Sequence, residues 1–297
     1  MRVFVTGATG FVGSAAVREL LGAGHQVLGL ARSDTSADAL DYAGAEVLRG
    51  SLEDTDSLRR GAAAADAVMH LAFIHDFTKF AENCETDRRA ITAMAEELAG
   101  TEKPLIITSG TGMLMGTTPY AVETTDISPD HPTPRAASEL AGLDARRRGV
   151  DVRIVRLPQV HGPGDHGFTS LLIQAARDSG VAAYIGDGSN VWPAVHRLDA
   201  GLLYRLVLER GKAGTNYHCV AEKGIAMRDL AGVISRKLDL PLVSIAPDEV
   251  PEHFGWFAMF AGMNNPASGE LTKAWLGWQP TRPGLLADLE NEDYFDA

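Results

Sequence analysis

The chain has 297 residues, 45% of them hydrophobic and 22% charged, an ordinary globular composition with enough length to bury a large core. Its formal net charge of −12 argues against nucleic acid and anionic membrane surfaces as main partners, since both carry the same sign. The two cysteines, Cys84 and Cys219, have no metal-ligand spacing and read as reduced, buried small residues. No leader signal precedes the first strand, and no apolar run approaches the ~20 residues of a membrane span. The cytoplasm is therefore the expected compartment.

The chain begins with an apolar run, Val3 to Val5, that ends in Thr6-Gly7-Ala8-Thr9-Gly10-Phe11-Val12-Gly13 and opens into a helical pattern with Ala15, Ala16, Val17, Leu20 and Leu21. This is a strand, a glycine turn and a helix. Gly7 permits a tight turn, Gly10 lets backbone N–H groups approach a pyrophosphate, and Gly13 lets the helix lie close to the strand. The helix start offers unpaired donors and partial positive charge to phosphates. Further strands are expected at 26–31, 45–48, 67–72, 104–108 and 152–157, with helices at 52–65, 87–99 and 136–148. Strands alternating with helices predict an α/β fold: a doubly wound parallel sheet of Rossmann type, with its ligand at the carboxyl ends of the first and fourth strands. Beyond Leu157 the pattern becomes loop-rich. Residues 183–193 read as irregular, 198–208 as helix, 216–220 as a seventh strand and 242–245 as a short strand. Residues 1–157 are thus expected to form the dinucleotide domain, with 216–220 returning to it. Residues 158–297 are expected to form a smaller, interleaved substrate lobe.

The Thr6–Gly13 motif resembles the extended branch of the short-chain dehydrogenase/reductase superfamily, which includes NAD-dependent epimerases and dehydratases of nucleotide sugars. The resemblance runs to about residue 220. It implies dinucleotide contacts at Gly7, Thr9, Gly10, Phe11 and Val12. It also implies contacts at Ser51 and Leu52 (the family's Gly-Asp-Leu, with Ser51 replacing Asp) and at Leu71, Ala72 and Phe73 (its His-Leu-Ala-Ala). Thr108 and Pro158 complete the implied set. At the end of the second strand, Ala31 stands where NAD users of the family carry Asp. Arg32 and Ser33 follow, suited to a 2′-phosphate. NADP(H) is the preferred cofactor, and Asp34 keeps NAD(H) open.

The family's Tyr-x-x-x-Lys pair is not found. The tyrosine exchanges a proton with the substrate oxygen, and the lysine lowers its pKa from ~10. Here the best register puts Arg135 on the tyrosine and Glu139 on the lysine. No tyrosine of the chain has a lysine four residues on, and arginine does not release a proton near neutrality. The Ser/Thr position survives as Thr111. Three other groups are candidates for proton handling: His75 after the fourth strand, Tyr120 after the fifth, and His161, which stands where the family often has Tyr. His70 and His196 read more simply as structural histidines. No metal site is expected.

The reading is an NAD(P)-dependent oxidoreductase of atypical short-chain type, acting on an unidentified small carbonyl or alcohol. A non-catalytic dinucleotide sensor or partner-binding protein, and a nucleotide-sugar epimerase or dehydratase, stand as alternatives. A homodimer through the helices at 87–99 and 136–148 is what the resemblance implies.

Overall fold

The computed structural model describes residues 1–117, 119–290, 294 and 295. Its centre is a parallel sheet of seven strands in the order β10-β6-β5-β4-β1-β2-β3. These strands are β1 (Arg2–Thr6), β2 (Gln26–Ala31), β3 (Glu46–Arg49), β4 (Ala67–His70), β5 (Leu105–Gly110), β6 (Val152–Leu157) and β10 (Asn216–His218). Val3, Phe4 and Val5 are fully buried, as expected for a parallel strand covered on both faces. One face is covered by α1 (Phe11–Gly22), α2 (Asp34–Ala43) and α7 (Arg197–Arg210). The other is covered by α3 (Thr55–Ala63), α4 (Phe80–Leu98) and α5 (Ala136–Arg147). The strand order reverses between β1 and β4, and right-handed crossovers leave a crevice there at the carboxyl ends.

The remaining chain builds two small sheets around a third apolar cluster. β7 (Gln159–His161), β9 (Val191–His196) and β11 (Glu222–Ala226) form one; β8 (Ala182–Ile185) and β12 (Leu242–Ile245) form the other. The longer helices here are α6 (Phe168–Ser179) and α8 (Met227–Leu238). Short helices α9 (Val250–Phe254), α10 (Ala258–Ala261), α11 (Glu270–Leu276) and α12 (Leu285–Leu289) complete the chain.

Three local expectations change. Residues 34–43 form a helix the apolar pattern does not announce, because only Ala37 and Leu40 face inward. Its signals are in the caps: Ser33 Oγ accepts from Ser36 N at 3.2 Å, and Gly44 closes the helix at φ 84°. α4 begins at Phe80, well before Asp87, so its first turns lie beside the loop that follows β4. The stretch 183–193 holds the end of β8 and the start of β9 with a turn between them, rather than being irregular throughout. Pro193 sits inside β9 opposite the point where the partner strand β11 shifts register between Glu222 and Ile225, an irregularity that tolerates a residue without an N–H.

Candidate functional site

The glycine turn forms a cradle that side chains cannot enter. Gly7 has φ 66°, and a Cβ there would lie 2.7 Å from the Ala72 nitrogen. A Cβ on Gly13 would lie 1.9 Å from the Gly7 oxygen. Gly10 is the N-cap of α1 and no side chain caps the helix, so its first-turn donors face the crevice without a protein substitute. Thr9 and Gly10 are exposed, while Phe11 and Val12 are half-buried.

At the far end of the crevice, Arg32 is exposed and makes no hydrogen bond or ion pair among the described residues. The Ser33 hydroxyl is engaged in capping α2. The register pairs Ala31 of β2 with Arg49 of β3, which brings a second guanidinium to the same edge. Arg49 holds Asp34 in an exposed ion pair. Ser51 Oγ accepts from Asp54 N at 3.3 Å, and Leu52 is buried.

Below the crevice runs a buried polar chain. His70 ends β4 with 1% exposure. Its Nε2 lies 3.0 Å from Asp87 Oδ1 and its Nδ1 2.7 Å from Thr6 Oγ1. A carboxylate only accepts, so Nε2 donates to Asp87, while Nδ1 and the Thr6 hydroxyl share the second hydrogen bond. Asp87 Oδ2 accepts from Ser138 Oγ at 2.5 Å and from Arg135 Nη1 at 3.1 Å. Burial opposes the Asp87 charge, but His70 and Arg135 outweigh it and hold the carboxyl below the usual range. Arg135 also meets Ser138 Oγ, donates to the Thr108 carbonyl at 3.2 Å and lies 4.4 Å over the Phe73 ring. Thr108 is committed to structure: its hydroxyl donates to the His70 carbonyl at 2.8 Å and meets the buried Tyr204 OH at 2.7 Å.

Glu139 points elsewhere. It is fully buried against Arg156 of β6, with three contacts of 2.5–3.2 Å. Arg156 also donates to the Thr125 carbonyl at 2.8 Å and approaches His218 at 3.3 Å. Burial and the Arg156 charge lower the pKa of His218 to about 3, so it is neutral there.

The four candidates for substrate chemistry occupy different surroundings. Thr111 is 1% exposed. Its hydroxyl touches Asn265 Nδ2 at 2.9 Å and the Leu157 carbonyl at 3.4 Å; exchanging the Asn265 amide atoms keeps that contact and lets the Asn265 oxygen also accept from Gly112 N. His75 is solvent-accessible yet stands edge-on to Phe73 at 5.3 Å. Partial desolvation and the charge of Arg135 lower its pKa. Tyr120 is 40% exposed, and its ring faces the Lys223 ammonium at 5.6 Å. His161 is buried, with Nδ1 2.8 Å from Asp288 Oδ2, which also accepts from Tyr294 OH at 2.6 Å. His161 Nε2 has no partner in the described residues. Pro158 is half-buried beside β7. His75 and Arg135 therefore share one environment, and the other three candidates each have their own.

An aromatic bridge roofs the His75 side. Phe77 stacks on Trp256 at 5.0 Å and meets Phe260 at 6.0 Å, and Phe260 lies 4.5 Å from Phe168. The segment after β4 thereby touches the α9–α10 region.

Residues 3–220 match the NAD dependent epimerase/dehydratase family. The chain belongs to this family. An uncharacterized protein of Schizosaccharomyces pombe is 48% identical, over 99% of this chain and all of its own length. A 2-alkyl-3-oxoalkanoate reductase of Stenotrophomonas maltophilia is 27% identical, covering 83% of this chain and 78% of the relative. The fold resembles that of a dTDP-glucose 4,6-dehydratase of Streptomyces venezuelae solved with NAD, with TM-score 0.78, 23% identity and coverage of 100% and 99%. The family is one of NAD(P)-binding oxidoreductase-type proteins, and the glycine cradle and uncapped α1 of this chain fit the diphosphate of such a cofactor. Among the described residues no helix is long and apolar enough to cross a membrane.

Asn265, Asp288 and Ser138 are contacts that the sequence reading does not supply. Asn265 stands 154 residues from Thr111, and no local pattern marks it. Ser138 has a visible signal, since it is three residues beyond Arg135 on one face of α5.

Proposed function

We propose that this protein is an NADP(H)-dependent oxidoreductase of a small carbonyl or alcohol, with proton handling that differs from the family's tyrosine and lysine. The observation that carries it is the pairing of an open glycine cradle with a guanidinium and an imidazole, Arg135 and His75, at the carboxyl ends of β4 and β5. When bound, the nicotinamide gives or takes the hydride at the substrate carbon. Arg135 donates a hydrogen bond to the substrate oxygen and stabilises the negative charge that grows there during reduction. His75 passes the proton to that oxygen, or removes it in the oxidation direction. Thr111 fixes the oxygen once its hydroxyl turns from Asn265. Tyr120 and His161 have weaker support, because Lys223 and Asp288 engage them.

Arg32 favours NADP(H): a guanidinium with no partner among the described residues at the end of β2, on the edge that also carries Arg49, suits a 2′-phosphate. Fluorescence titration of wild type and Arg32→Ala with NADPH and NADH tests the cofactor. Tighter NADPH binding that Arg32→Ala abolishes is expected; equal affinities in the wild type reject the preference.

Single-turnover reduction of a panel of ketones and aldehydes with deuterated NADPH tests the reaction. Stereospecific label transfer that falls at least tenfold in His75→Ala and Arg135→Gln is expected. A second reading, a dinucleotide sensor without turnover, is favoured by the burial of Thr111 against Asn265. Tight NADPH binding with no label transfer across the panel would select it.

A further inference from the structure

Beside the glycine cradle stands a cation that has no acidic partner among the described residues. Arg197 is the first residue of α7, directly after His196, whose Nδ1 caps the helix by accepting from Leu198 N at 3.1 Å. α7 runs parallel to α1: Arg197 meets Ser14, Gly201 lies against Ala15, Arg205 reaches Glu19 and Glu209 reaches His25. Both helices therefore direct their N-terminal ends to the same side, and Arg197 is held at that end. Its Nη2 donates to Ser14 Oγ at 2.7 Å and its Nη1 to the Pro163 carbonyl at 3.0 Å. Its guanidinium carbon lies 4.7 Å over the ring of Phe11, in the first turn of α1. Its Nε is buried and has no partner in the described residues.

None of these contacts carries negative charge. Arg135, Arg153, Arg156 and Arg205 each hold a carboxylate, and this in a chain with a formal net charge of −12. Arg197 holds none among the described residues, and the charged group that acts on it is Arg18, of the same sign. A partly desolvated guanidinium next to a like charge is unfavourable without a counter-anion. Among the described residues the arrangement leaves the place of an anion beside Arg197 open.

We propose that Arg197 is a binding residue for the dinucleotide diphosphate, which lies between the N-terminus of α1 and the guanidinium brought by α7. The proposal rests on the cofactor reading above and adds a charge from the C-terminal half of the chain to a site otherwise made by β1, α1 and the strand ends. It separates two arginines by what they detect. Arg32 responds to the 2′-phosphate alone, whereas Arg197 responds to the phosphates that NADH, NADPH and ADP share.

The test is titration calorimetry of wild type, Arg197→Met and Arg197→Lys with NADPH, NADH, ADP and adenosine, at two salt concentrations. Circular dichroism first establishes that each variant is folded. Arg197→Met keeps an apolar stem over Phe11 and removes the charge. It is expected to bind NADPH, NADH and ADP at least tenfold more weakly, to bind adenosine as wild type does, and to show a smaller salt dependence. Arg197→Lys is expected to fall at least threefold for the same three ligands, since an ammonium replaces a planar fork; this variant decides if the methionine variant is unfolded. Unchanged NADPH, NADH and ADP affinity in a folded variant overturns the role of Arg197 while leaving the cofactor reading intact. Absence of binding of both dinucleotides by wild type overturns both.

Discussion

Arg135 reaches Asp87 across 3.1 Å and joins the start of α5 to the middle of α4 beneath the end of β4. The same guanidinium depresses the pKa of His75. Removing it in Arg135→Gln is expected to raise the His75 pKa, because the charge that disfavours imidazolium is gone. An NMR titration of the His75 ring protons in both proteins checks this. An unchanged or lower pKa in the variant would show that Arg135 does not act on His75. In a reduction that needs protonated His75, the wild-type rate should rise as pH falls through that lowered pKa.

Glu139 and Arg156 have no solvent access. Glu139→Gln keeps one accepting oxygen but removes the negative charge, leaving the buried Arg156 guanidinium among an amide, the Thr125 carbonyl and a neutral His218. Breaking a buried pair from one side costs about 3–5 kcal/mol. Urea unfolding should register a loss of that order, and a change below about 1 kcal/mol would mean that water or a neighbour compensates the arginine.

Two glycines of α1 predict opposite outcomes. Gly22→Ala meets nothing within 4 Å, and a helical alanine is expected to stabilise by about 0.5–1 kcal/mol. Gly13→Ala places Cβ 1.9 Å from the Gly7 oxygen, so the cradle must open. Thermal melts should move up in the first variant and down in the second, with dinucleotide binding lost only in the second.

Burial pushes the Asp165 carboxyl up to about 6, from 3.8. The native state therefore binds more protons than the unfolded chain between these values. The sign follows: stability falls as pH rises from about 4 to about 6 and does not recover above. Asp165→Asn can still accept from Gly167 N without carrying the charge. It should be more stable than wild type by at most about 3 kcal/mol at pH 7.5, where two pKa units set the limit, and no more stable at pH 4. Melting curves at both values decide.

The glycine turn and all seven central strands are legible in sequence because each is local. A parallel strand buried on both faces reads as an apolar run, and a tight strand-to-helix turn needs its glycines in fixed places. α2 escapes that reading because its inward face is only two residues wide, and its caps carry the information instead. The site is less legible because its contacts are long-range. Thr111 depends on Asn265, His161 on Asp288, and the placing of Arg49 on the edge that follows Ala31 depends on the β2–β3 register. Arg197 lies in the stretch Val195-His196-Arg197-Leu198-Asp199, yet its use depends on α7 lying parallel to α1, which no periodicity reveals.

The Glu139–Arg156 pair also constrains the history open to this sequence. A lysine at 139 would set a second positive charge against Arg156 where neither side chain reaches solvent, so Glu139→Lys alone is expected to destabilise the fold. Arg156 would have to change first, and that step alone strands Glu139. The two positions can only move together. Drift at either position is therefore held in check by the other.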